Sequence, residues 1–267
     1  MNDGSEYSGK TVLVAGAAGG IGSALCTAFA GAGAHLIMLD RAGDDQPDGQ
    51  LSAGSLASEL QAAGHRADFT ACDLTRPESI EAALRISLGE GPSGSSGTLD
   101  VLIYNAAAFT PTVHFAELDE EQWDTAVRVN LTGAFLLDKY ALPWLRRSRH
   151  GVILHIASQL GHSAVKGQTA YCATKAGLIH MTRAMAADLA DEGIRVVSIS
   201  PGGTATSRLE HRFGSLQEAE KVLGSKHLLN RLARPEEIAE AALFLAGSRA
   251  SFITGSDLLV DGGYTAV

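Results

Sequence analysis

The chain is poor in sulfur and in positive charge. Three scattered cysteines (Cys26, Cys72, Cys172) stand among 267 residues. They make no C-x-x-C pair and no even framework, so a disulfide-stapled scaffold is set aside and a reducing compartment, by default the cytoplasm, is expected. Lysine and arginine number 21 against 30 aspartates and glutamates, a net charge of −9. The longest basic run is Leu145-Arg146-Arg147-Ser148-Arg149-His150, which is too short to grip a polyanion, so no nucleic acid partner is expected. No apolar run approaches the roughly 20 residues that a membrane span requires. Met1 to Glu6 carries neither the basic nor the apolar part of a signal peptide, and a soluble protein with no membrane partner is expected. Internal repeats are absent. His162, His211 and His227 have no close ligand spacing, so no metal is expected. A nucleophile elbow is missing too: Gly161-His162-Ser163-Ala164-Val165 lacks the second glycine of G-x-S-x-G.

What the chain does have is 45% apolar residues, enough for one large core and a single domain. Apolar runs at 11–15, 35–40, 66–72, 99–104, 152–157, 194–200 and 257–260 read as strands. Helical tracts at 23–33, 56–63, 77–88, 120–147, 170–191 and 235–246 lie between them. This alternation predicts an α/β, Rossmann-like, doubly wound parallel sheet of about seven strands with helices on both faces. Residues 44–55 and 89–97 read as loops. The stretch at about 203–230 mixes helical and glycine-containing segments and suits a mobile substrate lid.

After the first strand come Gly16, Gly20, Ile21 and Gly22, then a helix. Glycines here let the backbone approach a pyrophosphate, whose charge the helix N-terminus favours. The spacing is G-x-x-x-G-x-G rather than G-x-G-x-x-G. The second strand ends in Asp40, 18 residues after Gly22, near the distance at which a carboxylate holds ribose hydroxyls. Asp40 would repel a 2′-phosphate and Arg41 would offset part of that repulsion, so NAD is expected ahead of NADP. Asp73, at the end of the third strand, either reaches an adenine edge or caps the following helix.

The segment from Ser158 to Lys175 concentrates proton-transfer chemistry. Tyr171 and Lys175 are four apart on a helical tract and share a face. Ser158 ends a strand that the same helix can cover. A free phenol has a pKa of about 10, and an adjacent cation stabilises the phenolate. Asn130, between Val129 and Leu131 in a helical tract, is either exposed or donates within a polar interior.

These motifs, in this order, resemble the short-chain dehydrogenase/reductase family over nearly the whole chain, from Lys10 to Gly263. By that resemblance Gly16, Gly20, Ile21 and Gly22 form the cofactor glycine motif. Asp73 and Leu74 would meet the adenine, and Asn105 with Ala106 the strand-four motif. Pro201, Gly202, Thr204 and Thr206 would hold the nicotinamide amide. Asn130, Ser158, Tyr171 and Lys175 look like the catalytic tetrad, and Leu258 to Gly263 like the C-terminal signature. The resemblance implies an NAD(P)-dependent oxidoreductase that interconverts a secondary alcohol and a ketone. Tyr171 would move the hydroxyl proton and Ser158 would hold the substrate oxygen. Lys175 would lower the tyrosine pKa and bind ribose, and Asn130 would support a water relay. Family members are often tetramers, so a homotetramer is expected. Two other readings are a catalytically silent dinucleotide-binding sensor and an NADPH-dependent 3-oxoacyl reductase. Enoyl reduction is disfavoured, because in that relative the tyrosine and lysine lie further apart. Ala15, Tyr104 and Ala107 depart from the family pattern, where a threonine, an asparagine and a glycine are usual. Gln159, His162, Lys166, Gln168, Arg208, His211 and Arg212 are either contacts to a polar or anionic substrate or a solvated rim.

Overall fold

Strands covered on both faces have no need of alternation, and the most apolar runs of this chain bury every side chain: Val101–Tyr104 (β4) and Val152–Ile156 (β5). With Thr11–Ala15 (β1), His35–Asp40 (β2), Arg66–Ala71 (β3), Arg195–Pro201 (β6) and Asp257–Val260 (β7) they form one sheet. Its order is β3-β2-β1-β4-β5-β6-β7, with every neighbouring pair parallel. This is the expected doubly wound arrangement. The computed structural model of the chain describes residues 6–43, 51–89 and 97–267, so most of the expected loops at 44–55 and 89–97 lies outside the described residues.

The chain winds outward from β1 to β3 and then returns to lay β4 against the other side of β1. That reversal opens a crevice at the carboxyl ends of β1 and β4, where ligands of such sheets bind. One face of the sheet is covered by Gly20–Gly31 (α1), Ala53–Ala62 (α2) and Pro235–Ala246 (α9). The other is covered by Pro77–Leu88 (α3), Gly133–Leu145 (α5) and Thr169–Leu189 (α6). Glu120–Val127 (α4), Ser207–Phe213 (α7) and Leu216–Leu223 (α8) complete the helices named here.

Several helix boundaries differ from expectation, and α1 already begins at Gly20 rather than Ser23 and ends at Gly31 rather than Gly33. The second helix starts at Ala53 rather than Leu56, because the Ser52 hydroxyl caps it by accepting from the Ser55 backbone N–H at 3.1 Å. The tract read as one helix from Glu120 to Arg147 is instead broken by a π turn at Arg128–Thr132. The Tyr104 hydroxyl donates to the Val129 carbonyl at 2.5 Å, inside that turn. Gly133 leaves the room: a Cβ there would stand 2.6 Å from the Tyr104 oxygen and 2.9 Å from the Leu74 carbonyl oxygen. The extra residue of the π turn accompanies an inward-facing, fully buried Asn130.

A polar chain hidden in the core ties β5 to the two helices behind it. His155, inside the apolar run of β5, sets Nδ1 2.7 Å from the Thr182 hydroxyl and Nε2 2.9 Å from Asp138 Oδ2. The Thr182 hydroxyl donates to the Leu178 carbonyl, so its oxygen is left to accept from His155 Nδ1. Asp138→Ala strands the buried His155 Nε2, and urea denaturation is expected to show a loss of about 3 kcal/mol. A loss under about 1 kcal/mol would mean that the pair contributes little to the fold.

Candidate active site

The turn between β1 and α1 is shaped for close backbone approach. Gly16 has φ +81°, and a Cβ there would lie 2.6 Å from the backbone N and Cα of Ala106, beside the end of β4. The Asn105 amide donates to the Gly16 carbonyl at 2.7 Å and locks the two strand ends together. Gly22 is equally confined, since a Cβ would stand 2.1 Å from that same carbonyl oxygen. Helix α1 begins with no side-chain cap and no acidic residue in its first turn, which leaves its N–H groups and positive dipole end for an anion. Ile21 packs its side chain toward the core.

Asp40 is held at this turn by two backbone donors: Ala18 N–H to Oδ2 and Arg41 N–H to Oδ1, both at 2.8 Å. The Arg41 residue itself is exposed. Asp73 accepts from both the N–H and the hydroxyl of Thr75 on one oxygen, at 2.9 and 2.7 Å. Those bonds hold its carboxyl below the usual range, and they close a local turn ahead of α3, whose N-cap is Arg76 with no side-chain cap, so Asp73 does not cap that helix. Leu74 is buried beside it. At the end of β6 the Gly202 N–H donates to the Val260 carbonyl, and the Thr204 hydroxyl donates back to the Gly202 carbonyl. Thr206 lies against Gly20, bringing the end of the Pro201 segment over the start of α1. An uncapped helix, a glycine cradle and an oriented carboxylate fit a dinucleotide: Gly16 to Gly22 would take its pyrophosphate and Asp40 its ribose.

Across the crevice stand the other expected residues. Asn130 accepts from the Ala108 N–H at 2.7 Å and donates to the Thr174 hydroxyl at 3.1 Å, and Thr174 in turn donates to the Tyr171 carbonyl. The loop after β4 is thus tied to the helix of Tyr171. Lys175 is fully buried, donates to the Ile156 carbonyl at 2.7 Å, and has its Nζ 5.8 Å from the centre of the Tyr171 ring. Ser158 sits just past β5 with its hydroxyl accepting from the Leu160 N–H. Tyr171 is half-buried and lines a pocket with Thr110, Gln122 and Gln168.

Several features were beyond local sequence reading. Arg208 donates to the carbonyls of Ala107 and Ala108, and Arg212 to that of Thr110, so α7 is clamped onto the loop after β4. Thr174 carried a faint signal, lying between Tyr171 and Lys175. His162 is turned away from the site, its ring bound to Asp257 at 2.7 Å. Lys166 and His211 are exposed.

A family model described as enoyl-(acyl carrier protein) reductase matches residues 16–265. The cis-4-hydroxycyclohexanecarboxylate dehydrogenase of Sinomonas cyclohexanicum is 36% identical, over 99% of this chain and 100% of that protein. A short-chain type dehydrogenase/reductase from Mycobacterium marinum, a crystal structure, is 31% identical with a TM-score of 0.84, over 98% of each chain. The chain belongs to the short-chain dehydrogenase/reductase family. A Beutenbergia cavernae protein solved with NADP bound at low occupancy is also similar, at 28% identity and TM-score 0.86, over 98% of this chain and 99% of that one.

In this short-chain dehydrogenase/reductase the lysine charge is not permanent. Burial, and after it the nearby Arg208, pushes Lys175 from 10.5 down to about 7. Above that value the folded chain has released a proton that the unfolded chain keeps until about pH 10.5, so native stability rises with pH through this window. Relative to Lys175→Met, the cofactor-free protein is therefore expected to gain about 2 kcal/mol between about pH 6 and pH 9 in urea denaturation. A difference that stays flat with pH would show an ordinary, solvated lysine.

Proposed function

We propose that this chain is an NAD-preferring dehydrogenase that oxidises a secondary alcohol to a ketone, with Tyr171 as the general base. NAD(P)-dependent oxidoreduction at a CH–OH group is the activity common to its named relatives. The observation that supports the assignment to these residues is the linked set of Asn130, Thr174, Tyr171 and Lys175, joined by two hydrogen bonds and by the approach of the Lys175 ammonium to the Tyr171 ring. In this reading the Ser158 hydroxyl orients the substrate oxygen, and the Tyr171 oxygen takes its proton. Positive charge on Lys175 favours the resulting phenolate. Asn130 positions the Ala108 loop and α6, and its second amide hydrogen remains for a water that passes the proton outward. The nicotinamide, when bound, supplies the hydride acceptor.

Asp40 supports the NAD preference, because its carboxylate is fixed by two backbone N–H groups and would meet a 2′-phosphate with like charge. The segment at about 203–230 is read as the substrate lid, fastened to the loop after β4 by Arg208 and Arg212. A homotetramer is proposed from family habit, and the exposed Phe252, Leu258 and Leu259 near β7 offer apolar surface for it. A cytoplasmic location is supported by three free cysteines.

Tyr171→Phe is expected to lower kcat by about 100- to 10,000-fold with an unchanged melting temperature, read from nicotinamide absorbance over a panel of sugars, polyols, cyclic alcohols and hydroxy acids. Unchanged turnover in the variant would sink the base assignment. No turnover of any substrate by the native protein would favour the silent sensor, and turnover confined to NADPH and 3-oxoacyl thioesters would favour the reductase. Asp40→Ser is expected to narrow the NAD-to-NADP preference by roughly 10-fold or more in kcat/KM. An unaltered ratio would remove Asp40 from cofactor choice.

A further inference from the structure

Three cations without counter-charges gather around Tyr171. Lys175 comes from α6, while Arg208 and Arg212 come from α7 on the lid. Among the described residues no carboxylate lies within ion-pair distance of any of the three. This is unusual in a chain whose net charge is −9. The two arginines are used differently. Arg208 spends both terminal nitrogens on the carbonyls of Ala107 and Ala108. Arg212 holds the pocket wall with Nη2 alone, at 3.1 Å from the Thr110 carbonyl and 3.4 Å from Gln168 Oε1. Its Nη1 and Nε have no acceptor among the described residues.

Arg212 is partly buried, and burial and then Arg208 depress its affinity for its proton. Its guanidinium also lies over the Phe109 ring, 6.0 Å from the ring centre, but a partly desolvated cation with no anion beside it costs stability unless a ligand supplies the charge. The pocket holds further unmet polar groups. The Thr110 hydroxyl is buried and the Gln122 side-chain amide points inward, and neither Thr110 Oγ1 nor Gln122 Oε1 has a hydrogen-bond partner.

We infer that the substrate carries a carboxylate on the side of the molecule remote from its reacting hydroxyl, and that Arg212 binds it through Nη1 and Nε. The inference rests on the dehydrogenase reading for placing the reacting carbon beside Tyr171. The lid residue then closes on the charge of its own substrate, which selects hydroxy acids over neutral alcohols of the same skeleton.

The test separates binding from turnover. Cyclohexanecarboxylate, an acid that cannot react, and cyclohexanecarboxamide are titrated calorimetrically into the NAD-loaded protein. The native protein is expected to bind the acid roughly 10- to 100-fold more tightly than the amide. Arg212→Met should erase that preference while leaving NAD affinity unchanged, and Arg212→Lys should retain part of it. Circular dichroism melting confirms that both variants fold, and the lysine variant carries the test if the methionine variant does not. Equal or absent binding of acid and amide by the native protein overturns the inference. So does a loss of NAD affinity in Arg212→Met as large as the loss of acid affinity, which would assign the cations to the cofactor phosphates. Oxidation of cyclohexanol with no acid preference leaves the dehydrogenase reading intact and removes the carboxylate. Acid preference without turnover of any alcohol does the reverse.

Discussion

The fully buried amide of Asn130 joins the loop that follows β4 to the helix of Tyr171 and Lys175. Its carbonyl satisfies the Ala108 N–H, and its amino group reaches Thr174 one turn from the tyrosine. Neither bond could form in an unbroken helix that turned this residue outward. The π turn from Arg128 to Thr132 gives the inward orientation, and Tyr104 on β4 and the missing side chain of Gly133 accommodate it. A buried polar group left unpaired costs more than its bond contributes. The arrangement therefore stands or falls together: Tyr104, Gly133, Asn130 and Thr174 form one mechanical unit behind the proposed proton-transfer pair.

Electrostatics gives this unit its direction. Among the described residues, three carboxylates at the carboxyl ends of the strands are tied to backbone donors. Asp40 is held by Ala18 and Arg41, Asp73 by Thr75, and Asp261 by Gly263 and Thr265. What remains around Tyr171 is positive. Lys175 has only a carbonyl for a partner, so burial moves its titration into the neutral range and makes its charge responsive to what binds beside it. Negative charge from a dinucleotide phosphate or a substrate anion would favour the protonated ammonium. Occupancy and proton affinity are coupled in such a site by linkage.

The core behind the crevice follows the same economy. Asp138, His155 and Thr182 connect α5, β5 and α6, three elements that carry or adjoin Asn130, Ser158, Tyr171 and Lys175, through a chain of buried bonds. Apolar packing could hold these elements together but would tolerate sliding, whereas directional bonds fix their register. Lys175 and Thr182 lie two turns apart on α6 and Asp138 follows Asn130 by about two turns, so the core brace and the crevice residues share their scaffolding.

Strand runs such as Thr11–Ala15 and Val152–Ile156 were legible because a parallel strand buried on both faces is mostly apolar, and the winding followed from their alternation with helices. Tyr171 and Lys175 could be paired for an equally local reason, a spacing of one helical turn. His155 gave no such signal, since its partners lie 17 and 27 residues away on other elements. The orientation of Asn130 and the choice between rim and pocket for Arg208 and Arg212 stayed open for the same reason: the Arg208 bond to Ala107 spans 101 positions. Spacing along the chain determined which chemical groups this protein possesses and on which strand end or helix face each one rides. Which of them lost their water, and which were left without a counter-charge, was decided only when distant segments packed, because desolvation and pairing are properties of neighbours in space.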